Sequence, residues 1–363
     1  MKNTCLILIS ILLIASNAIY SQQVKSFSPV EYVNPYMGNI SHLLVPTYPT
    51  VHLPNSLLRV YPERADYTTD MLNGLPLVVT SHRGSSAFKM SPFQGNKNEL
   101  KPVISYSYDQ EIIKPYKYSV FLDEQQINVH YAVSHQSGIY ELLFERDEPI
   151  YLILNSRRGK IKWDGKAVSG YQQLANNTRV YLYLESDIEP ESVQENNADQ
   201  NNSHVILSFS SDSKSIKLRY GISFIDVDQA KKNLYREISD FDLVAVAEKG
   251  KEIWNDALDK IQVDGGSEDD KIVFYTSLYR TFERPVCISE DGRYFSAFDG
   301  KVHTDNGVPF YTDDWIWDTY RATHPLRVLI DPEVESDIIN SFLRMSEQMP
   351  NFWWPTFPEI TGD

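Results

Sequence analysis

The sequence of 363 residues predicts a two-part protein in which an antiparallel β-sandwich is followed by a helical domain. Three observations support this fold class. Short runs rich in Val, Ile, Tyr and Phe alternate polar and apolar residues through the first part of the chain, as half-buried strands do. The hydrophobic period then changes to that of helices near Val227. A chain of this length also exceeds one ordinary domain and suits two.

The strand pattern extends over residues 22–226, which we assign to the sandwich domain. The clearest predicted strands are Tyr140–Asp147, Arg179–Ser186, Val205–Ser211 and Ser215–Ile225. Turn signals separate these runs, and many short strands at this spacing are typical of a large antiparallel sandwich. The tract Glu195–Ser203 is polar and poor in apolar residues, so we predict a loop there.

Helical patterns occupy the rest of the chain. We predict a helical linker over residues 227–265 and the start of a helical domain over residues 266–363. Ser267 and Asp270 have the spacing of a capping box, which predicts that a helix begins there. Asp331 is the predicted N-cap of a later helix, whose first position is Pro332.

The N-terminus has the composition of an export signal. Residues 1–21 contain Lys2 and then an apolar run that is too short to remain as a membrane span. We therefore expect a periplasmic or secreted protein with no membrane insertion after cleavage. Cleavage would leave Cys287 as the single cysteine, which excludes an internal disulfide.

The charge balance bears on the class of partner. The chain has 34 basic and 49 acidic residues, for a net charge of −15, which argues against nucleic acid as a partner. Aromatic residues make up 12% of the sequence, with 23 tyrosines. This composition suits stacking on sugars, although tyrosine-rich chains are also commonly just rich in β-structure.

The segment PFYTDDWIWDTYRATHPL, residues 309–326, is the first candidate binding site. If a helix runs from Trp315 to about Ile330, then Trp317, Arg321 and His324 fall near one face. Indole rings stack on sugar rings, aspartate accepts hydrogen bonds from vicinal hydroxyls, and arginine donates them. The alternative interpretation is structural, with acids placed at a helix N-terminus beside an aromatic anchor.

Two predicted loops of the sandwich contain a second polar cluster. It consists of His42, His52, His82 and Arg83. Single histidines in such loops are commonly structural, and these spacings match no standard zinc site. The segment SEDGRYFSAFDGKVH, residues 289–303, lacks the alternating ligands and closing glutamate of a calcium loop, so we predict a hairpin instead.

Several segments resemble, in order, the motifs of glycoside hydrolase family 92, a family of exo-acting α-mannosidases. They are VEYVNPYMGN, TYPTVHLPNSLLRVYP, TSHRGSS, YGISFIDVDQAKKNL, WNDALDKIQVDGGSEDDKIVFYTSLYRTF, GRYFSAFDGKVH and YTDDWIWDTYRATHPLRVLIDPE. The most specific is the block W-D-T-[FY]-R-A-x-H-P-L. The resemblance implies a β-sandwich followed by an (α/α)₆ barrel, and calcium-dependent, inverting removal of terminal α-linked mannose from glycans.

The resemblance also implies roles for individual residues. Asp318 should bind hydroxyls of the terminal mannose, flanked by Trp317 and by Arg321, which we expect to orient Asp318 through a charge-assisted hydrogen bond. The sandwich residues expected to face the barrel mouth and shape the leaving-group side are His42, His52, His82 and Arg83.

The catalytic groups are not assigned within this sequence. The chain stops at PTFPEITGD without a closing helix, so we expect that it is cut within the barrel. The resemblance places the general acid, the general base and most calcium ligands beyond Asp363, and Glu359 is not assigned as the acid. The first hypothesis is therefore the N-terminal part of an exported α-mannosidase, inactive by itself. The alternatives are a non-catalytic carbohydrate-binding protein and a structural sandwich without a ligand.

Overall fold

The computed structural model describes residues 27–40, 47–64, 69–80, 86–199 and 202–362. The predicted signal peptide, residues 1–21, lies outside these ranges. So do three of the predicted site residues, which are His42, His82 and Arg83.

The described residues form twenty strands, and the paired strands run antiparallel. The strands are β1 Val51–His52, β2 Arg59–Val60, β3 Met71–Asn73, β4 Leu75–Val78, β5 Ala87–Gln94, β6 Ser105–Lys114, β7 Lys117–Leu122, β8 Ile127–Val133, β9 Ser137–Phe144, β10 Ile150–Arg157, β11 Gly159–Trp163, β12 Ala167–Gln173, β13 Arg179–Ser186, β14 Ser192–Asp199, β15 Asn202–Phe209, β16 Ser215–Ser223, β17 Val286–Cys287, β18 Arg293–Ser296, β19 Lys301–Thr304 and β20 Tyr311–Thr312.

Two large sheets make the sandwich. The smaller has five strands in the order β14-β15-β10-β5-β4, and the larger has nine in the order β11-β12-β13-β16-β9-β8-β7-β6-β3. Apolar side chains of both sheets form one buried core. Two buried hydroxyls of the larger sheet join the sheets, since Tyr140 donates to the carbonyl of Pro76 at 2.6 Å and Tyr220 to that of Leu77 at 2.7 Å. The predicted antiparallel sandwich is confirmed.

The polar tract Glu195–Ser203 is not the predicted loop. Strand β14 continues to Asp199, β15 begins at Asn202, and Asn196 pairs with His204 across them. Because β14 is an edge strand held by backbone hydrogen bonds to β15, its polar stretch can pair without apolar side chains, and Val193 before it packs against the core. Residues 195–199 of the tract therefore belong to β14, and residues 202–203 belong to β15.

Six α-helices follow in the part of the chain that the structure describes. They are α1 Val227–Glu237, α2 Leu243–Leu258, α3 Glu268–Thr281, α4 Ile316–Thr319, α5 Thr323–Ile330 and α6 Pro332–Gln348. Short 3₁₀ turns occur at Pro29–Tyr32 and Lys97–Glu99. Of these described helices, none is both long and apolar enough to cross a membrane.

Local signals in the sequence account for several of these boundaries. At the start of α3 the Ser267 hydroxyl accepts from the Asp270 amide at 3.1 Å, and the Asp270 carboxylate accepts from the Ser267 amide at 2.9 Å. This confirms the predicted capping box. Strands β18 and β19 pair as a hairpin, as predicted for residues 289–303. The residue before α6, Asp331, makes no capping bond but forms an ion pair with Lys260 at 2.5 Å.

The helices α1 and α2 pack on the larger sheet, α1 against β13 and β16 and α2 against β8 and β9. Trp254 of α2 is completely buried, and its indole nitrogen donates to the carbonyl of His52 at 2.7 Å. Its ring also contacts those of His52, Tyr279 and Phe282. This one side chain thus joins the sandwich to α2 and α3.

We expect Trp254→Ala to lower the free energy of unfolding by roughly 3–5 kcal/mol, because it opens a large cavity and leaves a buried carbonyl without its donor. Urea unfolding followed by circular dichroism measures the change. The control is Val244→Ala on the same helix, where the side chain is 67% exposed. Equal losses in the two variants would contradict the role assigned to Trp254.

Candidate functional site

A buried ionic cluster positions the segment that begins at Asp313. Arg59 of β2 forms an ion pair with Asp313, and the two side chains are only 2% and 1% exposed. The guanidinium of Arg284 approaches the same carboxylate, with its Nε 3.4 Å away. Asp313 has a φ of 63°, a left-handed conformation that is uncommon outside glycine. Because a buried charge requires a partner, Arg59 holds this turn between β20 and α4 in place.

A second buried cluster fixes the next part of the segment. His324 places its Nε2 2.9 Å from Asp314 and its Nδ1 2.8 Å from Glu335 of α6. Burial lowers the pKa of His324, but hydrogen bonds and charge from the two carboxylates outweigh it and raise that pKa to about 9. At neutral pH the ring is therefore an imidazolium that joins the two acids.

The helix predicted from Trp315 to Ile330 is interrupted, which corrects the sequence prediction. Helix α4 ends at Thr319 and α5 begins at Thr323. Trp317, Arg321 and His324 therefore do not share one face of a single helix. The imidazole of His324 turns inward, with 13% of its side chain exposed, whereas 70% of Trp317 is exposed. The physical reason is tertiary, because the buried carboxylates attract His324 into the interior.

Trp317, Asp318 and Arg321 lie at the surface. Within the described ranges, the side chains of Asp318 and Arg321 form no hydrogen bond or ion pair. The expected bond by which Arg321 would orient Asp318 is therefore not formed in this structure. A carboxylate, a guanidinium and an indole remain available to a ligand on this short stretch of chain.

Aromatic residues near the end of the described chain lie beside this segment. The amide of Asp314 donates to the carbonyl of Pro358 at 3.0 Å. The ring of Phe357 is 6.4 Å from that of Trp315, and the guanidinium of Arg284 lies 5.3 Å over the same indole. The exposed aromatic side chains of the segment and of the chain end are Trp317, Tyr320, Phe352, Trp353, Trp354 and Phe357. Exposed rings of this kind can stack against the C–H faces of sugar rings.

The structure places His52 in the core and not at a surface. Its side chain is 1% exposed, and its Nδ1 lies 2.8 Å from the carbonyl of Leu53. Burial is the main cause that lowers the pKa of His52 to about 4, so the ring is neutral. It packs against Trp254 and Tyr279 between the sandwich and the helices. The expected position at a barrel mouth is not what this structure shows.

Arg59 and Glu335 were not predicted as parts of the site. Arg59 stands in the apolar sequence LLRV, and a charge inside a buried strand is the signal that could have identified it. Glu335 lies in the first turn of α6, where acids are common for reasons of helix electrostatics alone. No pattern in the sequence connects it with His324.

Over the ranges that the structure covers, no three His, Cys, Asp or Glu side chains come together in a way that could hold an ion. The calcium implied by the family resemblance therefore finds no such cluster of side chains among the described residues.

Comparison with known families assigns both parts of the chain. Residues 32–223 match the model described as the glycosyl hydrolase family 92 N-terminal domain. Residues 229–363 match the model of the glycosyl hydrolase family 92 catalytic domain. No curated protein sequence matches the chain.

Solved structures show the same architecture. A family 92 inverting mannosidase from Bacteroides thetaiotaomicron VPI-5482 matches with a TM-score of 0.84 and 26% identity, over 93% of this chain and 51% of that chain. A family 92 α-mannosidase from Bacteroides thetaiotaomicron matches with a TM-score of 0.83 and 19% identity, over 93% and 52%. Its complex with mannoimidazole gives a TM-score of 0.83 and 20% identity, over 93% and 51%. The chain thus spans about half the length of these structures, and the likeness confirms the predicted fold.

We expect the His324 cluster to make stability depend on pH. The pKa of about 9 lies above the ordinary 6.5, so this contribution is complete below pH 6.5 and is lost as the pH rises through 9. Relative to His324→Gln, the free energy of unfolding of the unaltered chain should fall by up to about 3 kcal/mol over this pH range. Urea unfolding at a series of pH values measures the difference.

Two features sharpen this comparison. Burial raises the pKa of Glu290 to about 7 in both chains, so only the difference between them reports His324. The variant Glu335→Gln keeps the imidazole but removes one of its carboxylates, and should move the transition to lower pH. A difference curve that is flat from pH 6.5 to 9 would contradict the bridged imidazolium.

Proposed function

The chain belongs to glycosyl hydrolase family 92, and from this we propose that it is the part of an exported α-mannosidase that recognises terminal α-linked mannose. Family membership supports a glycosidase. The mannose specificity is supported by the names of the similar solved structures, one of which was determined with mannoimidazole. The proposed partners are mannose-containing glycans, and the proposed location is the periplasm or the exterior of the cell.

The observation that carries this proposal is the exposed pair Trp317 and Asp318, which follows closely after the buried ion pairs of Asp313 and Asp314. Asp313 and Asp314 are buried and paired, yet Asp318, a few residues later, projects into solvent without an internal partner in the described chain. A carboxylate held in this way can accept hydrogen bonds from two neighbouring sugar hydroxyls. The indole of Trp317 can stack on the sugar next to this carboxylate. Buried charges hold the preceding residues in place, which limits the conformational entropy that the site loses on binding.

Hydrolysis requires groups that we do not assign to the described residues. Inversion needs a carboxylic acid to protonate the leaving oxygen and a carboxylate to activate water, roughly 6.5–9.5 Å apart. We propose that residues beyond Asp363 contribute both, together with the ligands of a calcium ion that would bind mannose hydroxyls. Asp318 has a binding role here and is neither the acid nor the base.

We expect Asp318→Asn to weaken the binding of methyl α-mannoside by at least about tenfold, because a charged acceptor contributes more than a neutral amide. Saturation-transfer NMR titration of the chain measures the affinity. The control is Asp228→Asn, which also changes an exposed aspartate in the first turn of a helix. Asp228→Asn should bind like the unaltered chain.

Turnover is tested on the same preparation with 4-nitrophenyl α-mannoside in the presence of calcium. We expect binding without release of nitrophenol. If the unaltered chain fails to bind the mannoside, the proposed recognition role is wrong. Release of nitrophenol would instead show that the catalytic acid and base lie within these 363 residues.

A further inference from the structure

A polar cavity of about 820 Å³ lies on the five-stranded sheet, away from the segment described above. In β10 the side chains of Leu152 and Leu154 belong to the sandwich core. Because side chains alternate along a strand, Asn155 and Arg157 project from the opposite face. Both of them line the cavity. The cavity therefore lies on the outer face of the smaller sheet.

Strand register builds the floor of this cavity. Four polar residues on adjacent strands stand directly opposite one another, in the order Lys89, Asn155, His204 and Asn196. Two residues further along the same face, Arg157 stands opposite Asn202. The other side of the cavity is formed by Asn73, Pro102, Val103 and Ser105. Ten described residues from distant parts of the chain thus line one open cavity.

Several floor side chains have hydrogen-bonding capacity that the protein does not use. Asn155 is 3% exposed, yet its side-chain amide forms no hydrogen bond within the described residues. The atoms of this amide are not among the fully buried side-chain atoms that lack a partner, so they open into the cavity. The Nδ1 of His204, by contrast, is buried without a partner in the described residues, and Arg157 forms no ion pair in the described chain.

The charge of the lining differs from that of the protein. Among the described residues that line the cavity there is no Asp or Glu, although acidic residues outnumber basic ones by 49 to 34 in the sequence. Lys89 is neutralised by Glu63, whose Oε1 lies 2.6 Å from its Nζ. Of the two cations in the described lining, Arg157 is therefore the one without an ion pair in the described chain. The Asn155 amide and the Arg157 guanidinium both keep donors that the described residues do not use.

We propose that this cavity is a second carbohydrate-binding site, which takes a sugar residue that carries a carboxylate or a phosphate. Asn155 would bind ring hydroxyls, since its amide offers both a donor and an acceptor. Arg157 would bind the anionic group in a bidentate manner, for which a planar guanidinium is suited. The site is separate from Asp318, which is not among the residues that line the cavity. It would hold the protein on acidic glycans apart from any hydrolysis.

The test is titration of the chain with glucuronic acid, mannose 6-phosphate, mannose and inorganic phosphate, followed by NMR. We expect at least one acidic sugar to bind roughly tenfold more tightly than mannose and than inorganic phosphate. Whichever acidic sugar binds more tightly identifies the anionic group. Arg157→Gln should weaken this binding roughly tenfold. The matched control is Arg158→Gln, which removes the same charge from the next residue, outside the cavity lining, and should change nothing.

Asn155→Ala separates a binding role from a structural one. Because the Asn155 amide has no partner within the described protein, the variant should keep its melting temperature but lose affinity for the acidic sugar. Asp318→Asn should leave this affinity unchanged, so the two proposals can fail separately. The proposal is overturned if neither acidic sugar binds, if inorganic phosphate binds as tightly as they do, or if the two arginine variants lose affinity equally.

Discussion

The ion pair between Arg59 and Asp313 is the constraint on which the arrangement of the candidate site depends. Both side chains are buried, so the charge of Arg59 requires Asp313, and Asp313 is compensated by Arg59 together with Arg284. Arg59 belongs to the small sheet β1-β2 of the N-terminal part, and Asp313 to the turn that precedes the helices α4 to α6. The pairing therefore determines where that turn lies on the sandwich. The surface that carries Trp317 and Asp318 follows from it, only a few residues further along the chain.

Apolar contacts and buried charges have different roles at this junction. The packing of Trp254 against the rings around it stabilises the contact between the sandwich and the helices. This apolar contact is weakly directional. The hydrogen bonds of His324 to Asp314 and Glu335 are directional and fix the orientation of α5 against α6. Helices α1 and α2 pack on the larger sheet, whereas the outer face of the smaller sheet has the polar cavity.

Much of the fold could be predicted from the sequence because its signals are local. Strand Arg179–Ser186 was predicted with the bounds that the structure has, and the Ser267–Asp270 capping box starts α3 as expected. The errors occurred where tertiary pairing overrides local preference. The tract from Glu195 lacks strand composition but gains backbone hydrogen bonds from β15. The helix expected from Trp315 breaks where His324 is attracted to buried acids.

By itself, the sequence determined the order of sandwich and helices, the family resemblance, and the choice of Asp318 and Trp317 as candidate binding residues. Each of these depends on residues that are close together in the chain. Tertiary structure alone decided that His52 is buried, that Arg59 supports the site, and that Asn155 opens into a cavity beside Arg157. These facts depend on strand register and on the pairing of buried charges, which join residues far apart in sequence.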